Sequence, residues 1–142
     1  MSDVHFYHNA EDKLAAACRL AVKAFGAGRK VAVRVPDPAQ ARRLDQLLWT
    51  FEQLSFVPHV RLDSPLASET PVIIGDTQDG AWPHDDVLIN LGLDLPEGAD
   101  RFKMVVEVVG QAEEDRQPAR DRWRHYKAAG HALTAHGLGN RT

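Results

Sequence analysis

What this chain has little of narrows its chemistry before any motif is read. A single cysteine, Cys18, occurs in 142 residues, so an internal disulfide and a cysteine-based zinc cluster are both excluded. Cys18 falls on the apolar stripe of a predicted helix, where it reads as a small buried hydrophobe rather than a nucleophile. An excess of positive charge is also missing: 17 Lys and Arg stand against 20 Asp and Glu, for a formal net charge of -3. Proteins that grip many nucleic-acid phosphates are usually basic, so direct contact with nucleic acid would have to be local. There is no apolar run of about 18 residues and no basic N-terminal region followed by an apolar one. The expectation is a cytoplasmic protein without a membrane span.

Motifs for phosphate and catalysis are equally scarce. The first strand-to-helix junction, His5-Phe6-Tyr7-His8-Asn9-Ala10, has no glycine-rich turn that would let backbone approach a phosphate. Neither G-x-x-x-x-G-K-[ST] nor G-x-S-x-G is present. His5 and His8 lie on opposite faces of a strand and do not converge on a metal, and His84, His125, His131 and His136 lack ligand spacing. Asp76, Asp79, Asp85 and Asp86 form an acidic loop that would suit Mg²⁺, against the ordinary reading of a solvated loop. No acid and base can be paired. The residues support neither an enzyme nor a cofactor.

What is present is the patterning of one ordinary globular domain over residues 1–142, with 44% hydrophobic and 26% charged residues. Val4 to Tyr7 reads as a strand, and Asn9 as the cap of a helix carrying Leu14, Ala17, Cys18, Ala21, Val22 and Phe25 at helical spacing. Gly26 and Gly28 end it. Lys30 to Val35 alternates as a strand, and Asp37-Pro38 opens a second helix reaching about Gln53. Residues 55–70 look loose. Val72–Gly75, Val87–Leu91 and Arg101–Val109 read as further strands, and the small polar stretch 134–142 as a frayed tail. The sum is an α/β domain, a Rossmann-like sheet of mostly parallel strands flanked by helices, without a nucleotide-binding glycine loop.

Two helices carry features beyond core formation. In the second, Ala41, Leu44, Leu47, Leu48 and Phe51 make the core stripe, and Trp49 lies about 100° away from Leu48. Trp49 is either covered by a returning loop or exposed for a partner, with Phe56 close by in sequence. The last helix, Glu113 to His131, is acidic at its start and basic later, as its macrodipole favours. Arg116, Arg120, Trp123 and Lys127 fall within roughly 60° on one face, beside the core positions Ala119, Tyr126 and Ala129. That face is either a solvated charged surface or a site for an anion with an apolar neighbour.

The segments Arg43-Leu44-Asp45-Gln46-Leu47-Leu48-Trp49, Ser55-Phe56-Val57-Pro58-His59, Asp86-Val87-Leu88-Ile89-Asn90-Leu91 and Ala119 through Gly130 occur in one order with characteristic spacing. Together they resemble the chi subunit of the bacterial DNA polymerase III holoenzyme, over nearly the whole chain. The resemblance implies a non-catalytic accessory subunit with a Rossmann-like fold that has lost nucleotide binding. It implies two partners, the clamp-loader-tethering psi subunit and the acidic, phenylalanine-ending tail of single-stranded-DNA-binding protein, so that nucleic acid is met only indirectly. The tail site would include Val109, Arg116, Arg120 and Trp123, to which helical phase adds Lys127. The psi site would include Trp49 and Phe56, with a helicase as a further candidate partner for that surface. Arg116 and Trp123 depart from the family's usual lysine and tyrosine, keeping charge and aromaticity but changing geometry. The alternative class is a nucleotide- or phosphate-binding α/β enzyme using the Asp76–Asp86 loop, and a third is a direct single-strand binder using Trp123 and the basic stripe.

Overall fold

Short apolar runs with few polar breaks suit strands covered on both faces, and here they assemble into one parallel sheet. A computed structural model describes residues 2–50, 57–76 and 81–138. In chain order the elements are β1 (Asp3–Ala10), α1 (Lys13–Gly26), β2 (Val31–Arg34), α2 (Pro38–Thr50), β3 (His59–Arg61), β4 (Val72–Gly75), β5 (Val87–Asn90), β6 (Met104–Gly110), α3 (Glu113–Ala128) and β7 (Ala132–Gly137). The sheet order is β3-β4-β2-β5-β6-β1-β7, with every pairing parallel. Helices α1 and α2 cover one face, setting Leu14, Ala17, Cys18, Ala41 and Leu44 against Val31, Val33, Ile74 and Ile89. Helix α3 covers part of the other, setting Ala119 and Tyr126 against Val4, Phe6, Val105 and Val109. Among the described residues no helix is long and apolar enough to cross a membrane.

Several local expectations need correction. Asp12, not Asn9, caps α1, its carboxylate accepting from the Ala15 N–H at 3.1 Å. Asn9 instead takes a φ of 65° and its side-chain amide donates to the Leu138 carbonyl at 2.8 Å. The stretch taken as loose contains β3, whose three residues are too few to show a period. Ala129 is exposed rather than part of the core. Helix α2 is described as far as Thr50; Phe51, Gln53 and Phe56, and with them the expected helix end, lie outside the described residues, as does Asp79.

The largest correction concerns the expected frayed end, where Ala132–Gly137 forms a full strand beside β1. Its residues are small and polar because it is an edge strand with only partial cover; the open side of β1 gives it its hydrogen bonds. On the face away from α3, His5 Nδ1 lies 2.9 Å from His136 Nε2, and the Tyr7 ring stacks on His136 at 4.4 Å. Residues 139–142 lie outside the described part.

The polar interior explains how α3 is held. Glu107, in the middle of β6, is fully buried. Its carboxylate accepts from Arg122 Nε at 3.0 Å, Asn90 Nδ2 at 2.8 Å and the Tyr126 hydroxyl at 2.8 Å. Burial pushes the Glu107 carboxyl up from its ordinary value, against the pull of Arg122, Tyr126 and Asn90. Arg122 also donates to the Leu93 carbonyl at 2.7 Å. Arg34 extends the cluster, reaching Asp76 and Asp94 at 2.9 Å each and the Asn90 amide oxygen at 3.0 Å. One connected set of bonds therefore ties β2, β5, β6 and α3 together.

Two predictions follow from these contacts. Arg122→Ala leaves Glu107 buried without its ion partner and should lower unfolding free energy by about 3–5 kcal/mol in urea titration. The double variant Glu107→Leu/Arg122→Leu should recover most of that loss, and a single-variant midpoint close to the parent would contradict this account. For β7, burial and the neighbouring His136 lower the proton affinity of His5, with Asp3 opposing them. The stabilisation from this pair is therefore complete above the unfolded value of 6.5 and fades as pH falls below it. The protection of the β7 amides from exchange, relative to their intrinsic rates, should fall between about pH 7 and pH 5, more than in β2, and His136→Asn should remove that difference.

Candidate protein-interaction site

Helix α3 leaves a cleft where it crosses the β1–β7 side of the sheet. Its volume is about 410 Å³. Phe6 and His8 share a face because they are two apart on β1, and with Val109, Ala119 and Ala135 they line the apolar side of the cleft. Arg116, Arg120, Trp123 and Arg124 line it from α3. Trp123 is half-buried and meets Phe6 edge-on, with ring centroids 5.2 Å apart. An apolar hollow walled by guanidinium groups accepts a ligand that is part aromatic and part anion.

The cations are already lightly engaged. Arg120 donates to Glu113 at 2.8 Å and to the Gln117 side-chain oxygen at 2.9 Å, and Arg124 pairs with Asp121 at 2.6 Å. Through its bond to Arg120, Glu113 sits below the usual carboxylate range, and the Arg120 guanidinium is raised in turn. These pairs are exposed and exchange readily with solvent. A guanidinium carries five N–H donors, so an incoming carboxylate can share Arg120 or replace Glu113 on it.

A second surface lies at the far side of the sheet. Trp49, near the end of α2, is 57% exposed and meets the buried His59 ring edge-on at 4.8 Å. His59 bonds to the Val57 and Asp45 carbonyl oxygens at 2.8 and 3.1 Å. Since β3 and β7 are the two edges of the sheet, six strand spacings separate the two surfaces, roughly 30 Å.

The crevice at the strand C-terminal ends, where related folds take nucleotides, keeps a cavity of about 470 Å³ beside Ala10, Lys13, Gly110 and Asp115, but the charges around it are paired within the chain. Asp115 accepts from the Gly110 N–H at 2.6 Å and pairs with Lys13 at 2.9 Å. Asp76 is bound to Arg34 at the same end of the sheet, whereas Asp86 pairs with Arg29 at 2.6 Å at the opposite, N-terminal ends of β5 and β2. Among the described residues no three His, Cys, Asp or Glu side chains cluster as metal ligands.

Comparison with known proteins decides the family. The family profile described as DNA polymerase III chi subunit, HolC, matches residues 1–134. The DNA polymerase III subunit chi of Pseudomonas aeruginosa is 38% identical over 126 residues, covering 89% of this chain and 87% of that protein. The subunit chi of Escherichia coli is 33% identical over 116 residues, covering 82% and 79%. The chain belongs to the DNA polymerase III chi-subunit family. It is a non-catalytic accessory subunit in DNA replication, and works in a complex with other polymerase III subunits.

Within the chi fold, the positions expected for a tail site fall unevenly. Val109, Arg116, Arg120 and Trp123 come together around the cleft, whereas Lys127 is exposed and not among its lining residues. Lys127 shares the helical phase of Arg116, Arg120 and Trp123, but it lies about 6 Å further along than Trp123. Arg124 takes a place on the wall instead, and its spacing of four from Arg120 was a signal for it. Phe6 and His8 carried a weaker signal in their shared strand parity. Ala135 carried none, because β7 itself was unread.

Replacing the half-buried Trp123 by Ala should cost clearly less than Phe6→Ala, which should lose about 3–5 kcal/mol because its ring is in the core. Equal losses in urea titration would mean that Trp123 is a core residue rather than a cleft wall.

Proposed function

We propose that the protein bridges two partners across its sheet, psi at the Trp49 and Phe56 surface and the tail of single-stranded-DNA-binding protein in the α3 cleft. The observation that carries the reading is the cleft itself: an apolar hollow beside Phe6, Val109 and Trp123, ringed by Arg116, Arg120 and Arg124. A tail ending in acidic residues, phenylalanine and a free carboxylate matches that arrangement group for group. The phenylalanine ring enters beside Trp123 and Val109, and the terminal carboxylate pairs with Arg120 or Arg116 through short charge-assisted bonds. Exposed cations make the attraction partly electrostatic, so affinity is modest and falls with salt. Separate edges of the sheet let both partners bind at once.

Calorimetric titration with a tail peptide tests the cleft. Binding should vanish or drop at least about tenfold on removing the terminal phenylalanine or on Arg120→Ala, and Glu113→Gln should tighten it by freeing Arg120. An affinity indifferent to salt, or unchanged by both deletions, would remove the cleft from the account. Trp49→Ala should abolish co-purification of psi while leaving the peptide titration unchanged. Loss of both together would point to misfolding rather than to two sites.

A further inference from the structure

The cleft opens onto a sheet edge that has none of the usual guards. Edge strands are normally short, charged or interrupted by proline, because their unpaired backbone invites another strand. At the far side, β3 follows that rule, with three residues including Arg61. By contrast β7, Ala-Leu-Thr-Ala-His-Gly, has six residues with neither proline nor Lys, Arg, Asp or Glu. Among the described residues it pairs with β1 and with no other strand.

Its phase fixes which backbone groups look outward. The Leu138 N–H donates to the His8 carbonyl at 2.8 Å, and His8 is in register with Gly137. In a parallel ladder the N–H and C=O of one residue point the same way and alternate along the strand. Ala132, Thr134 and His136 therefore face β1, and Leu133, Ala135 and Gly137 present their N–H and C=O groups to the open side. These same residues turn toward α3: Leu133 packs in the α3-side core and Ala135 lines the cleft. The free backbone donors and the cleft are thus one continuous surface, with Arg116, Arg120 and Arg124 along its other wall.

We infer that the cleft's ligand is held as an added strand. An acidic peptide places its terminal phenylalanine beside Trp123, and its upstream residues pair with the outward groups of Leu133, Ala135 and Gly137. The cationic wall selects acidic side chains on the strand so formed, while the backbone bonds hold the peptide in register. This inference rests on the tail-binding reading and adds its mode.

The test uses the full chain and a tail peptide carrying single backbone N-methyl groups at successive positions. Alternate positions should each weaken binding about fivefold to tenfold, and the intervening ones should not, because only every second N–H faces β7. On the protein, Ala135→Pro removes an outward N–H at an edge position that tolerates proline and should weaken the unmethylated peptide to a similar extent. Trp123 fluorescence should still change on binding, showing that the cleft remains intact. If binding needs Arg120 and the terminal phenylalanine but ignores every N-methyl group and Ala135→Pro, the cleft reading stands and strand addition is wrong. If the unmodified peptide does not bind at low salt, both readings fall. A free protein that sediments as a dimer, and is made monomeric by Ala135→Pro, would assign the edge to a second copy and overturn the inference.

Discussion

The structure depends most on the buried carboxylate of Glu107. A charge in the middle of a covered strand is costly unless it is paired and fully hydrogen-bonded, and three donors from β5 and α3 meet that demand. Two of them, Arg122 and Tyr126, are one turn apart on α3. Their bonds fix the rotation of the helix about its axis as well as its distance from the sheet. Apolar contacts such as Ala119 against Val109 would tolerate some sliding; a guanidinium and a phenol aimed at one carboxylate do not. With that rotation set, Arg116, Arg120 and Trp123 can only face the cleft. The outward-facing site is thus oriented by an inward-facing ion pair.

The same sheet that would bind a nucleotide in other α/β proteins has its proposed recognition surface elsewhere. At the strand C-terminal ends, Asp115 takes the Gly110 N–H and Lys13 for itself, and Asp76 is held by Arg34. The cleft that joins an apolar lining to arginines lies on the flank of the sheet, where α3 leaves β1 and β7 partly uncovered. Membership of the chi family makes the chain a subunit that works in a complex with other polymerase III subunits. Trp49 is exposed at the opposite edge, and the proposed bridging role uses that separation.

Much of this was legible in residues alone. The runs KVAVRV and VIIG, the Asp37-Pro38 helix start and the phase of Arg116, Arg120 and Trp123 each follow from local chemistry. What escaped reading has tertiary causes. Ala132–Gly137 is a strand because β1 has an open side, and no pattern within six small residues says so. Glu107 and Arg122 look like isolated charges on core positions until the fold brings them to 3.0 Å. Helical phase gave the direction of Lys127 but not the length of the cleft, which ends before it and includes Arg124. Charges interrupting an apolar stripe were the signal left unused, in Val-Val-Glu-Val-Val and between Ala119 and Tyr126.

The most direct measurement is a nitrogen-15 amide and indole spectrum of the protein titrated with the acidic, phenylalanine-ending tail peptide. Shifts concentrated at Val109, Arg116, Arg120, the Trp123 indole and Ala135, with Lys13, Gly110 and Trp49 unmoved, are the predicted result. Shifts centred on Lys13 and Gly110, or spread evenly over the surface, would contradict the claim that this protein recognises its ligand on the flank of its sheet.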